Sequence, residues 1–396
     1  MEVAARAKRG GHRRSRDRGA GHHRAPPVTA KAAIRAEAEA LQAAITRGAP
    51  GTVAVDAPML VSADTLLDLY GEDIRARAFT TQDPDRGEMM LRPDFTVPVV
   101  EMHMSGGAEP ARYTYLGEVF RKQSVGAGLP SEYLQVGYEV FDREAPLQAD
   151  VEVFALFNEA LAEVPIRAVT GDTGVLLAAI EALSTTEARK AALRRHVWRP
   201  RRFRTLLDRF TGAAPAPKGR EAYLEAARAQ GLAALIAQAG PPIGLRTTDE
   251  MTARLERLEA DAAEPPIDAT QAEVLSELLA LKAPLAEAAA ILSNYAVDLP
   301  GLQTAVDRFS ARVNALADAG VEVETLPFEA SYGRTQMEYY DGFVFGILPA
   351  TPGQPPLATG GRYDTLTRLL GGGREIPAVG GVIRPELVLA AKEAAR

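Results

Sequence analysis

Two runs rich in aromatic and β-branched residues stand out from the chain's pattern of apolar and polar positions. One is Arg112–Arg121 and the other Tyr133–Asp142, and the loop between them contains Gly126, Gly128 and Pro130. They read as antiparallel strands. A strand turns successive side chains to opposite faces, so Tyr133, Gln135, Gly137, Glu139 and Phe141 share one face and Leu134, Val136, Tyr138 and Val140 the other. The second face is apolar and suits a core. The first carries an amide and a carboxylate about 13 Å apart at the usual strand rise. Gly137, without a side chain, stands between them and makes a floor open to a ligand. Buried, such a carboxylate costs several kcal/mol unless paired; in water, the face is an ordinary wetted one.

The same patterns outline the rest. A helix is predicted over Ala30–Ile45, with Ile34, Leu41 and Ile45 inward and Thr29 as its cap. Val53–Val55 reads as a strand and Asp64–Tyr70 as a short helix. Arg77–Thr80 and Glu88–Leu91 read as a strand pair around the turn Asp83–Gly87, followed by a helix over Val97–Met104. An amphipathic helix over Ala149–Ala162, a strand over Arg167–Thr170 and a helix over Thr173–Leu183 come after the hairpin. From there to about Gly320 alanine and leucine dominate, and prolines at 215, 217, 241, 242, 265 and 266 divide the segment. No fixed period recurs, so this is a helical insertion and not a solenoid. Strands are expected over Glu322–Phe328 and Met337–Ile347, and a tight turn over Thr359–Asp364 before a helix to Leu370. Val379–Ile383 is the last strand, and Pro385 in the first helical position starts the terminal helix. The fold class is α+β, a mostly antiparallel sheet flanked by helices. The expected division is a tail at 1–27, a core at 28–170, the insertion at 171–320 and the rest of the core at 321–396.

Composition narrows the function classes. The 396 residues leave room for two or three domains, and 46% apolar with 24% charged residues is ordinary for a globular protein. There is no cysteine, which excludes disulfides and thiolate metal sites and fits a reducing cytoplasm. No apolar run reaches the length of a membrane span, and the N-terminus lacks the apolar region of a secretory signal. The net charge is −7, but residues 1–27 hold eight Lys/Arg against Glu2 and Asp17, a balance of +6 that leaves −13 on the remainder. An acidic body argues against nucleic acid as the main partner, because phosphate contacts dominate that affinity. The Arg-, Gly- and His-rich tail, with His12, His22 and His23, reads as disordered. A solvated tail, a metal or nucleic-acid arm, and translation starting instead at Val28 are the readings open for it.

The chain has no Walker A loop, no G-x-G-x-x-G after a strand, no H-E-x-x-H and no G-x-S-x-G. Gly371-Gly372-Gly373 follows a helix and reads as its stop. Five short motifs do occur in one order: Leu91-Arg92-Pro93-Asp94-Phe95-Thr96, Phe120-Arg121, Gln135-Val136-Gly137-Tyr138-Glu139-Val140-Phe141, Glu338-Tyr339-Tyr340 and Gly360-Gly361-Arg362-Tyr363-Asp364. Together they resemble the catalytic core of histidyl-tRNA synthetase, a class II synthetase, over roughly residues 30–170 and 320–390. The resemblance implies a histidine pocket. Asp94, with Thr96 beside it, stands where the family holds the amino group. Gln135 and Glu139 match the pair that contacts histidine, and Tyr339 and Tyr340 the tyrosines lining the imidazole pocket. Arg121 matches the arginine that holds the carboxylate or α-phosphate region. The residue types suit these tasks: carboxylates for an ammonium, an arginine for a carboxylate, hydroxyls and amides for a neutral imidazole.

The departures from the synthetase pattern all touch ATP or tRNA. Phe120-Arg121-Lys122-Gln123 lacks the glutamate that meets adenine. Thr335 stands where the catalytic arginine belongs, with Arg334 one position early, and a one-residue slip on a strand reverses the face. Leu387 replaces the arginine that grips ATP, and the chain to Arg396 leaves no room for an anticodon-binding domain. This pattern is similar to the regulatory-subunit family of ATP phosphoribosyltransferase, paralogues of the synthetase in histidine biosynthesis. The resemblance implies a non-catalytic cytoplasmic subunit that dimerises, joins a short-form catalytic subunit in a hetero-octamer and confers feedback by histidine, with no cofactor and no metal. The alternative is an active enzyme, a truncated histidine–tRNA ligase or a histidine-activating enzyme.

Overall fold

The computed structural model describes residues 28–70, 72–123, 130–238, 240, 244, 247–333 and 339–395. The basic tail, the glycines of the hairpin loop, and Arg334, Thr335, Met337 and Glu338 lie outside the described residues.

The described chain opens with α1 (Val28–Gly48) and the short strand β1 (Val53–Ala54). A small sheet follows, in which β2 (Leu60–Ser62), β3 (Thr80–Asp83) and β4 (Gly87–Leu91) run in the order β2-β4-β3, with α2 (Ala63–Tyr70) after β2. Next come α3 (Thr96–Met104), the long hairpin β5 (Ala111–Phe120) and β6 (Glu132–Phe141), α4 (Pro146–Ala160) and β7 (Ile166–Asp172). The chain then runs through α5 (Thr173–Ala182), α6 (Glu187–Arg195), α7 (Pro200–Phe210), α8 (Arg220–Gln230) and α9 (Leu232–Gln238). It continues through α10 (Thr248–Ala263), α11 (Ala269–Ala280), the short β8 (Lys282–Pro284), α12 (Leu285–Asp298) and α13 (Gln303–Asp318). It ends with β9 (Pro327–Glu329), β10 (Phe343–Pro349), β11 (Ala358–Arg362), α14 (Asp364–Leu370), β12 (Ala378–Ile383) and α15 (Pro385–Ala394).

Among the described residues the main sheet has nine strands, in the order β1-β5-β6-β12-β11-β10-β7-β9-β8. Its pairings are antiparallel except for β1 with β5 and β7 with β9. The expected α+β class holds, with that parallel admixture near the two edges. The two faces of β6 divide as the alternation requires. Val136, Tyr138 and Val140 enter a core with Leu41 and Ile45 of α1 and Val153, Phe154 and Phe157 of α4, continued by Leu275, Leu292 and Phe309 of the helical segment. Phe141 joins a second core on the opposite face with Tyr115, Tyr340, Tyr363 and Val99 of α3.

Several elements differ from expectation for identifiable reasons. Glu322–Phe328 does not form one strand. The carbonyls of Val323 and Leu326 accept from the N–H groups of Ala286 and Leu285, so they satisfy the exposed donors at the start of α12 and leave only Pro327–Glu329 to pair. The strand expected from Met337 begins at Phe343; Tyr339 and Tyr340 precede it in a bend, with both rings in the second core. Consecutive residues of a strand could not share a face in that way. The first strand of the small sheet's outer pair begins at Thr80, not Arg77. The helix after the hairpin starts at Pro146, whose ring suits the first helical turn.

Thr359–Arg362 is not a turn but part of a central strand. Gly360 pairs with Gly381 and Gly361 with Gly380, four glycines in one patch of sheet. A Cβ on Gly360 would stand 2.4 Å from the Phe345 ring and 2.6 Å from the Gly380 carbonyl. One on Gly380 would stand 1.5 Å from Glu139 Oε2. These glycines serve close approach rather than chain reversal.

A buried ion cluster clamps the sheet to the helices. Asp150 of α4 meets Arg362 of β11 at 2.7 Å and Arg312 of α13 at 3.4 Å, and Arg312 also pairs with Asp172 at the end of β7. Arg362 reaches Asp364 at 3.0 Å as well. Each charge has an opposite partner, the condition under which buried ions are tolerated.

Candidate functional site: a polar hollow over the strand β6

Gln135 and Glu139 are 1% and 0% exposed, so the polar face of β6 is not a wetted one. Glu139 lies in a cage of hydroxyls. Thr96 and Tyr115 donate to Oε1 at 3.0 and 2.9 Å, and Tyr363 donates to Oε2 at 2.6 Å. Burial pushes its carboxyl up to about 7, against the pull of the Tyr363, Tyr115 and Thr96 hydrogen bonds. The register sets Tyr115 opposite Gly137, and its hydroxyl takes the place of the missing Cβ, 2.2 Å from where that atom would be. The floor expected to be open at Gly137 is therefore closed by the Tyr115 ring, which carries a hydroxyl toward Glu139.

Asp94 sits in the turn between β4 and α3 and is also buried. Tyr70 donates to its Oδ2 at 3.2 Å, and Arg121, from the end of β5, meets the same oxygen at 3.5 Å. Arg121 is anchored by a 2.6 Å bond from Nε to the Pro93 carbonyl and stays partly exposed. Tyr339 donates to Thr96 at 3.4 Å, its ring meets Tyr70 edge-on at 6.2 Å, and it lies 4.7 Å from the Tyr340 ring. Contacts thus join Asp94, Thr96, Arg121, Glu139, Tyr339 and Tyr340 into one constellation. Gln135 shares the face of β6 with Glu139 but bonds to none of them; its buried Oε1 has no hydrogen-bond partner among the described residues. A buried acceptor left unpaired costs about 1–3 kcal/mol.

Sequence reasoning missed four contributors. Tyr70 and Tyr363 lie in segments whose pattern announces only a helix and a turn. Tyr115 was legible in principle, as an aromatic residue placed opposite a glycine. The fourth is Arg384, in the position after β12. The pairing of Val136 with Ile383 puts Gln135 and Arg384 one step further along the two strands, on the hollow's side. Arg384 donates to the Pro356 carbonyl at 3.0 Å and to Thr359 Oγ1 at 3.1 Å, and has no carboxylate partner among the described residues. Burial lowers its pKa, and Arg121 adds to that as a nearby like charge, while Tyr133 and Tyr340 act against it. The hollow therefore offers an acid at Asp94, two guanidinium groups at Arg121 and Arg384, and an orphaned amide oxygen between tyrosine walls. That set is complementary to a small zwitterion bearing an N–H donor.

Known proteins resemble the chain along most of its length. A family model described as histidyl-tRNA synthetase matches residues 32–264 and 220–388. The ATP phosphoribosyltransferase regulatory subunit of Allorhizobium ampelinum is 34% identical, covering 84% of this chain and 91% of its own length. Those of Rhizobium rhizogenes and Brucella canis are 34% and 33% identical over 82% of this chain and 90% and 89% of theirs. Among solved structures, an ATP phosphoribosyltransferase regulatory subunit/histidyl-tRNA synthetase from Bacillus halodurans superposes with a TM-score of 0.64 at 21% identity, over 93% of this chain and 81% of that one. A histidine–tRNA ligase subunit from Alicyclobacillus acidocaldarius superposes with a TM-score of 0.59 at 24% identity, over 98% and 99%. At those identities the two structures speak for the fold, a class II synthetase-like one. The agreement along most of the sequence shows that this chain belongs to the regulatory-subunit family of ATP phosphoribosyltransferase.

Proposed function

We propose that the chain regulates an ATP phosphoribosyltransferase, taking histidine in the hollow and carrying out no chemistry itself. In this reading Asp94 holds the ligand's ammonium, Arg121 its carboxylate, and Gln135 an imidazole N–H, with Thr96, Glu139, Tyr339 and Tyr340 shaping the pocket. The observation that carries it is the unpartnered Oε1 of Gln135, buried on the face that also bears Glu139. A ligand that donates a hydrogen bond there relieves a standing cost, so affinity and burial point the same way. Histidine has about eleven heavy atoms, so micromolar binding asks about 0.7 kcal/mol of each, within the usual ceiling.

The loss of nucleotide handling supports a non-catalytic role. Gln123, in place of the adenine-contacting glutamate, donates to the Pro130 carbonyl at 3.3 Å. Leu387, in place of an ATP-gripping arginine, packs against the core on the other side of the sheet. Losing charges at a reacting phosphate costs orders of magnitude in rate. The partner is a short-form catalytic subunit in a hetero-octamer, built on a dimer of this chain, with histidine as the feedback effector. Histidine shifts the complex toward an inhibited state only if the two states bind it unequally.

The test is reconstitution. The purified chain should activate the catalytic subunit, and histidine should inhibit the pair. Calorimetry should show histidine binding to the wild-type chain and loss of at least tenfold in affinity for Asp94→Asn. Unchanged affinity refutes the pocket. Histidine-dependent exchange of pyrophosphate into ATP by the chain alone refutes the non-catalytic role.

A further inference from the structure

The insertion carries a concentration of positive charge that the hollow does not use. Between Glu187 and Arg209 stand nine Lys/Arg against Glu187 and Asp208, in a chain whose net charge is −7. On α6, α7 and the turn between them, Arg195, Arg199, Arg201, Arg202 and Arg204 are exposed. Arg194 is paired with Glu181 and Glu187, but Arg195, Arg201 and Arg202 form no ion pair with a described residue.

The arrangement is electrostatically adverse. Arg199 is the N-cap of α7, Arg201 and Arg202 follow in its first turn, and that turn holds no acid. The positive end of a helix favours anions and disfavours cations. His196 lies among these groups: its Nδ1 is buried without a partner, and burial, then Arg202, Arg199 and Arg195, lower its pKa. From the elements packed against α6, Glu181 of α5 takes Arg194 and Asp261 of α10 takes Arg189 at 2.6 Å, which leaves Arg195, Arg201 and Arg202 without an acid among the described residues. From α11, Ser276 accepts from Arg204 at 3.2 Å, while the carboxylates of Glu273 and Glu277 form no ion pair with it. The chain's one tryptophan, Trp198, stands between the two helices in sequence, half-buried against the core. Arginine beside tryptophan is the composition of an interface hot spot.

We infer that the exposed arginines of α6 and α7, with Trp198 in the turn between the two helices, dock an acidic surface of a protein partner. A compact patch suits a compact partner. A nucleic acid running on past it would meet the acidic remainder of the chain, and its affinity needs many phosphate contacts in register. Identifying the partner as the catalytic subunit rests on the function proposed above.

The test is titration of the catalytic subunit into the full-length chain at about 50 and about 300 mM salt, where screening differs strongly. Wild type should bind more weakly at the higher salt. Arg195→Glu/Arg201→Glu/Arg202→Glu should weaken assembly at least about tenfold at low salt and flatten the salt dependence. It should leave histidine affinity unchanged, which also reports that the variant is folded. Assembly equal to wild type overturns the inference while the proposed function stands. So does a variant that assembles normally but loses binding to a duplex RNA. A wild-type chain that fails to assemble removes the proposed function, and this partner with it.

Discussion

Glu139 offers a test of the cage that needs no ligand. Its carboxyl is fully enclosed and titrates at about 7, against 4.5 in an unstructured chain. In the folded state it therefore keeps its proton across the interval from pH 4.5 to about 7, where the unfolded chain has already lost it. The folded protein binds more protons there, so stability falls as pH rises through that window. At about 1.4 kcal/mol per pKa unit, the shift corresponds to about 3 kcal/mol between acid and alkaline conditions. Glu139→Gln keeps the shape and removes the titration. Whatever the amide does to the three hydroxyl donors is independent of pH and cancels in the comparison. Urea unfolding of both proteins from pH 4.5 to 8 gives the difference in unfolding free energy. Relative to the variant, wild type should be most stable at the acid end and should lose about 3 kcal/mol by pH 8. Other groups raised by burial, such as Asp341 at about 6, are present in both proteins and drop out. A difference that stays flat within about 1 kcal/mol, or that rises with pH, refutes the enclosed carboxyl.

Three further outcomes follow from contacts already described. Gln135→Met removes an orphaned acceptor, so denaturant stability should hold or rise by about 1 kcal/mol while histidine affinity drops at least tenfold in calorimetry; a large loss of stability would contradict the unpaired oxygen. Asp150→Ala strips Arg362 and Arg312 of a shared partner and should cost about 3–5 kcal/mol in chemical unfolding, whereas a cost below about 1 would mean the cluster does not clamp the fold. Gly360→Ala brings a methyl group to 2.4 Å from the Phe345 ring and should cost about 1–3 kcal/mol or more, read as a lower thermal midpoint; a neutral result would mean β11 and β10 are less closely packed.

The hairpin was legible because a strand buried on both sides still sorts its side chains by period, and β6 sends valines one way and Gln135 and Glu139 the other. The glycine pair of β11 was not, because two adjacent glycines are the ordinary signature of a turn, and only the opposing Phe345 and Gly380 reveal why a strand needs them. The alternation of valine and glutamate over Val321–Glu324 imitates a strand, yet those backbone groups are claimed by turns and by the start of α12. For the site, residue types could nominate Asp94, Arg121 and Glu139 through resemblance. They could not reveal Tyr115 over Gly137 or Arg384 beside Gln135, since both follow from strand register.

The square of glycines where β11 meets β12 leaves the sheet bare on both sides at one spot. Gly361 and Gly380 admit the Tyr340 ring and the Glu139 carboxylate, while Gly360 and Gly381 admit Phe345 and Phe157 from beneath. The hollow above and the aromatic layer below are therefore separated there by a single thickness of peptide backbone. Any drift that fills the hollow from above or swells the layer below has no spare room to spend between them. Ring packing on the helix side and pocket shape on the other should then have to change together as such sequences diverge.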